Sequence, residues 1–125
     1  MKTINILGLE LEFSELKILN VVAMIELARY EPVRIESDWT SDMNDLKEAR
    51  KCIIEVIGEW GELPRCAEVM IRERHCRALI VPLEIEYERI KKVSVSRWTD
   101  DMRALESAFR KIRAAVGKID PDFNF

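Results

Sequence analysis

Glutamine is missing from the chain altogether, and histidine occurs once. With a single histidine, any His-based triad, metal pair or acid-base dyad has to run through His75. The four glycines are scattered, so there is no Gly-rich phosphate loop, and no H-E-x-x-H, G-x-S-x-G or zinc-knuckle pattern is present. These absences argue against an enzyme, and no cofactor is expected. Three cysteines, Cys52, Cys66 and Cys76, are an odd number without C-x-x-C spacing. They fit reduced, mostly buried thiols better than a disulfide frame, which suits a reducing cytosol. The first dozen residues lack the basic start, apolar run and cleavage site of an export signal, so a cytoplasmic location is expected. The most apolar stretch, Leu16 to Tyr30, is broken by Lys17, Asn20, Glu26 and Arg29. It is shorter than the roughly 20 residues that span a bilayer, and no membrane association is expected.

What is there suits one soluble domain of 125 residues, with 48% hydrophobic and 34% charged residues. Acidic and basic side chains are mixed without blocks of one sign, and the net charge is −3. Bulk attraction to nucleic acid is therefore not favoured. The lack of glutamine beside abundant Glu and Arg is a bias also seen in heat-adapted proteins.

Apolar and polar residues alternate from Leu9 to Phe13, which predicts a half-buried strand with an acidic face. Ser14 and Glu15 then open a helix that is apolar almost all round: Leu16, Leu19, Val22, Ala23 and Leu27 share one side, and Ile18, Val21 and Ile25 fill much of the rest. A domain this small rarely covers every side of a helix, so the outer side is expected to meet a second copy of the chain. Pro32 to Glu36 suggests a short strand. From Thr40 a helix follows with Leu46, Ala49, Ile53, Val56, Ile57 and Trp60 at helical spacing, and Pro64 suggests the first residue of a shorter helix to about His75. Leu83, Ile85 and Tyr87 alternate with glutamates, and Val93 and Val95 with serines. That pattern predicts a hairpin turning at Arg89 to Lys91, with Pro82 at an edge or break. A last helix from Thr99 to Gly117 buries Met102, Leu105, Ala108, Ile112, Ala115 and Val116. The tail aromatics, Phe123 and Phe125, are expected to dock on the body.

Ser37 to Gly58 and Ser96 to Gly117 align without a gap at an offset of 59 residues, with nine of 22 positions identical. Both carry Trp-Thr-x-Asp-Met: Trp39, Thr40 and Asp42 in the first copy, Trp98, Thr99 and Asp101 in the second. The threonine can cap a helix, the aspartate meets its positive end and the tryptophan covers its entry. These corners are read first as structural and second as a symmetric binding surface. Leu9 to Phe13 also echoes Leu83 to Tyr87. Together the patterns predict an internally duplicated α+β domain over residues 1–125, with repeats at about 9–58 and 83–117. They imply a mainly antiparallel sheet of about four strands, with helices mostly on one face.

The favoured function is a small protein-interaction or regulatory module acting as a homodimer, with a further protein partner conceivable. Arg65, Arg72, Arg74, His75 and Arg77 form the densest basic stretch and support a second reading, contact with phosphate or RNA, although Glu68 and Glu73 interrupt it. A third reading is a metal protein or enzyme at His75 with Cys52, Cys66 and Cys76. Their spacing fits no common zinc pattern, and no metal is assigned. Glu10, Glu12, Glu84, Glu86 and Glu88 are expected to form a solvated acidic sheet face.

Overall fold

The computed structural model describes residues 6–30, 41–59 and 66–119. In chain order it has β1 (Ile6–Glu12), α1 (Phe13–Tyr30), α2 (Ser41–Glu59), β2 (Cys66–Arg72), α3 (Glu73–Ile90), a 3-10 turn (Val95–Arg97) and α4 (Asp100–Ile119). The order is strand, helix, helix, taken twice. Two strands, not four, are present among the described residues, and they pair with each other as an antiparallel ribbon.

The predicted hairpin at 83–96 is therefore wrong, because those residues continue α3 and then leave it through a turn. Over a longer window the helical spacing wins over the alternation: Cys76, Leu79, Leu83 and Ile90 are buried, while Glu84 and Glu88 face solvent. Pairs one turn apart, Glu73 with Arg77 and Glu86 with Arg89, suit the helix further. Pro82 lies inside α3 with its ring buried. It costs the helix a backbone donor, and the burial of its apolar neighbours offsets that loss.

The short helix expected from Pro64 to His75 is also overturned. Cys66–Arg72 is β2, in which Val69 and Ile71 are buried and Glu68, Met70 and Arg72 exposed. Its period of two is brief, and pairing with β1 is what fixes it as a strand. The acidic face splits accordingly: Glu10 and Glu12 stand with Glu68 on the open side of the ribbon, whereas Glu84, Glu86 and Glu88 belong to α3. Gly117 does not end the last helix, which runs on to Ile119. The strand expected at Pro32 to Glu36, Trp60 and the tail aromatics lie outside the described residues.

Leu9 pairs with Val69, 60 residues further along, and the ladder steps out evenly on both sides: Leu7 meets Ile71 and Leu11 meets Ala67. This is the register a local twofold axis through the Leu9 and Val69 pair requires. An offset of 60 also carries α1 onto α3. Buried positions coincide at Glu15 and His75, Leu16 and Cys76, Leu19 and Leu79, Val22 and Pro82, and Ala23 and Leu83. The echo between Leu9 to Phe13 and Leu83 to Tyr87 thus joins a strand to a helix. The second unit begins at Cys66 rather than near Leu83.

Glu10 and Glu68 lie directly opposite on the open face, where like charges repel. Gly8 relieves this, because the Glu68 carboxylate leans over it, with Oε1 2.8 Å from where a β-carbon would stand.

Leu7, Leu9, Leu11, Val69 and Ile71 turn the other face of the ribbon onto the helices. Each of α1 and α3 packs against both α2 and α4, and α1 also touches α3. The core centres on Leu16, Leu19, Ile53, Leu79, Leu83, Ile112 and Val116. Each such side chain contributes about 1.5–3 kcal/mol when withdrawn from water. Among the described residues no helix is long and apolar enough to cross a membrane.

Candidate functional site

His75 is the third residue of α3, and its ring is buried between that helix and α2. Its Nε2 lies 3.1 Å from Oε2 of Glu48 on α2. A carboxylate only accepts, so this nitrogen carries the proton. Arg74, beside it in sequence, points to the same place: its Nη2 donates to Glu48 Oε2 at 3.0 Å, and its Nε is 3.8 Å from Asp45 Oδ1. Asp45 and Glu48 sit one turn apart on α2, so both carboxylates face α3. The hydrogen bond from His75 holds the Glu48 carboxyl below its usual range against an opposing desolvation, with the positive charges of Arg74 and Arg72 helping.

The sequence-predicted basic stretch is dispersed by this arrangement. Arg74 is engaged by Asp45 and Glu48, and Arg77 by Glu73, at 2.9 Å from Nη2 to Oε1. Arg72 ends β2 on the open face of the ribbon and is exposed. Arg65 lies outside the described residues. The carboxylates interleaved with these arginines leave little unbalanced positive charge for a phosphate backbone.

Of the cysteine set, the side chain of Cys66 lies outside the described residues, and the other two stand apart. Cys52 is exposed on α2, whereas Cys76 is buried one residue beyond His75. Burial, with the nearby charge of Glu73, pushes the Cys76 thiol up to about 12. Such a thiol stays protonated near neutral pH and is a poor nucleophile.

Of the two Trp-Thr-x-Asp-Met corners, the second is described. Trp98 Nε1 donates to the carbonyls of Ile90 (3.1 Å) and Val93 (3.0 Å), tying the turn to the end of α3. Thr99 Oγ1 accepts from Met102 N at 3.2 Å, while Thr99 N meets Met102 Sδ at 3.3 Å. This is a reciprocal cap with sulfur in the usual carboxylate's place. Asp101 is exposed in the first turn of α4. Trp39 and Thr40 lie outside the described residues, and the side chain of Asp42, in α2, does so as well.

The outer face of α1 is apolar. Val21, Met24 and Ile25 are 38%, 45% and 40% exposed at neighbouring helical positions, and Ile18 is half-buried one turn earlier. On α3, Val81 and Ile85 hold the places that Val21 and Ile25 hold on α1. There Val81, Ile85, Glu84, Glu88, Arg89 and Lys92 line a shallow groove of about 440 Å³.

Sequence reasoning missed four polar residues: Asp45 and Glu48, which face His75, and the pair Glu15 and Lys111. Glu15 is almost wholly buried. Its Oε1 accepts from Lys111 Nζ at 2.6 Å and from Glu12 N at 2.9 Å, closing half a capping box at the start of α1. Alignment at an offset of 60 would have flagged Glu15 and His75 together. Their partners depend on helix packing alone. Comparison with protein-family models, curated proteins and solved structures finds no match.

Proposed function

We propose that the chain is a small homodimeric interaction module that joins a second copy of itself through the outer faces of α1 and α3. The observation that carries this reading is the patch of Val21, Met24 and Ile25, three large apolar side chains left in water on one helix face. Single exposed apolar residues are ordinary, whereas a contiguous set one turn apart marks a contact surface.

Charge favours a second copy as the occupant. The α1 patch lies between exposed Lys17 and Arg29, and the α3 groove carries exposed Glu84 and Glu88 beside exposed Arg89 and Lys92. Placing α1 of each copy on α3 of the other joins apolar to apolar and sets Lys17 and Arg29 against a groove whose charges are mixed, with Glu84 and Glu88 as their partners. Such an isologous arrangement closes on itself.

The test is mass in solution by light scattering over a range of concentrations. A dimer for the unaltered chain, with monomers of unchanged helix content for Ile25→Glu and Val81→Glu, would support the reading. Reversing Glu84 and Glu88 to lysine should weaken the dimer, and reversing Lys17 and Arg29 to glutamate in the same chain should restore it. A monomer at every concentration, or a dimer indifferent to Ile25→Glu and Val81→Glu, would overturn it.

A further inference from the structure

We propose that Asp45, Glu48 and His75 form a binding site for one divalent transition-metal ion of zinc's class. Each residue offers one ligand atom, and the three atoms lie within 4.8 Å of one another. Zinc takes histidine nitrogen and carboxylate oxygen at about 2.0–2.2 Å in tetrahedral geometry, which sets two ligand atoms of one ion roughly 3.5 Å apart. His75 Nε2 and Glu48 Oε2, 3.1 Å apart, already meet that spacing, and drawing in Asp45 closes at most about 1.3 Å, a side-chain rotation of the half-exposed Glu48 and the partly exposed Asp45.

The donor set selects the ion. One imidazole with two carboxylates suits zinc, cobalt or manganese, while calcium and magnesium favour oxygen throughout. Three protein ligands also leave room for water on the ion, unlike a closed four-cysteine structural site. The buried ring of His75 is held in place by the packing of α2 against α3, so its nitrogen is directed before an ion arrives; to bind there, Nε2 gives up its proton to solvent while Nδ1 takes one up, and the hydrogen bond to Glu48 is exchanged for the bond to the ion. Among the described residues the ligand atoms that come together are those of Asp45, Glu48 and His75, without Cys52 or Cys76.

Arg74 places a positive charge on the same two carboxylates, and its side chain is 53% exposed. A metal ion and the Arg74 guanidinium would thus compete for Asp45 and Glu48, with the arginine swinging into solvent when the ion binds. The site joins α2 of the first unit to α3 of the second, so an ion there would tie the two units together.

The competition supplies a test that a purely structural ion-pair cluster would not meet. The full chain, stripped with chelator, would be titrated with Zn²⁺ by calorimetry and with Co²⁺ by visible absorbance, with native mass spectrometry giving the stoichiometry. One ion per chain is expected, together with a rise in melting temperature. Arg74→Gln should bind several-fold more tightly, because its competing charge is gone. Glu48→Gln, a half-exposed change that leaves the core alone, and Asp45→Asn should each weaken binding at least about tenfold. His75→Gln should abolish it, with circular dichroism checking that the variant is folded. Failure to bind either ion, binding retained in the Asp45→Asn and Glu48→Gln double variant, or an Arg74→Gln variant that binds no better would each overturn the assignment.

Discussion

Glu15 and His75 occupy the same place in the two halves of the chain. Each is the third residue of the helix that follows its strand, each is buried, and each reaches the second helix of the opposite unit. Glu15 meets Lys111 on α4, and His75 meets Glu48 on α2. The signs are exchanged: the acidic member is inside at one position and outside at the other. The twofold relation of the ribbon thus continues into its polar contacts, where two bolts of opposite polarity hold the units in register.

The first bolt should be costly to break from one side. Glu15 keeps one oxygen, Oε2, without a hydrogen-bond partner, so its charge rests on Lys111 and the Glu12 amide. Lys111→Met leaves a buried carboxylate without its cation and should destabilise the fold by about 3 kcal/mol. Adding Glu15→Gln to that variant should recover a large share of the loss, since a neutral amide needs no counter-charge. Urea unfolding of the two single variants and the double variant measures this, and a simple sum of the single effects would refute the coupling.

The second bolt should show itself against pH. Glu48 has its folded-state value lowered below 4.5 by the His75 hydrogen bond and the neighbouring arginines. Its contribution to stability is therefore fully present above the ordinary carboxylate value. It is lost as pH falls through the lower, folded value. Glu48→Gln should remove this part of the acid dependence, so the stabilities of variant and parent should converge as the solution is acidified. Unfolding curves collected from neutrality downward give the comparison, and a constant gap between the two proteins would contradict the assignment.

The long amphipathic helices were legible before any coordinates. Leu46, Ala49 and Ile53 in α2, and Leu105, Ala108 and Ile112 in α4, recur over enough turns to fix both period and buried face. The apolar first helix and its uncovered side were legible for the same reason. Short alternations were not. Leu83 to Tyr87 alternates over five residues, as a strand would, yet Leu79, Leu83 and Ile90 lie on one helical face over a window more than twice as long. In β2 the alternation is equally short, and Pro64 just before it suggested a helix start instead. Asp45 and Glu48 could not be found from spacing, because they meet His75 only through the packing of α2 on α3, 27 residues apart for Glu48.

The corner at Trp98 should be worth more than its half-buried position suggests. Its indole nitrogen donates to the carbonyls of Ile90, which also accepts from Val93 N, and of Val93 in the turn beyond α3. Trp98→Phe keeps an aromatic, though smaller, ring and removes the donor, and should cost at least about 1 kcal/mol. Thr99→Ala removes the cap on Met102 N and should cost a similar amount, about 1 kcal/mol. Chemical denaturation of both variants reads these losses. Stability unchanged in both would show that the corner holds nothing together.

The described thiols should differ sharply in reactivity. Cys52 is exposed on α2, whereas Cys76 is fully buried and its thiol is pushed up to about 12 by burial and by the charge of Glu73. Alkylation requires the thiolate and access to it, and Cys76 has neither at neutral pH. Brief treatment of the native protein with iodoacetamide, followed by peptide mass mapping, should therefore modify Cys52 and leave Cys76 untouched. In denaturant both should react at comparable rates. Modification of Cys76 in the native protein at a rate like that of Cys52 would mean that α3 opens readily at its start. The packing of His75 and Glu48, and the metal site built on it, would then lack the rigid backing described above.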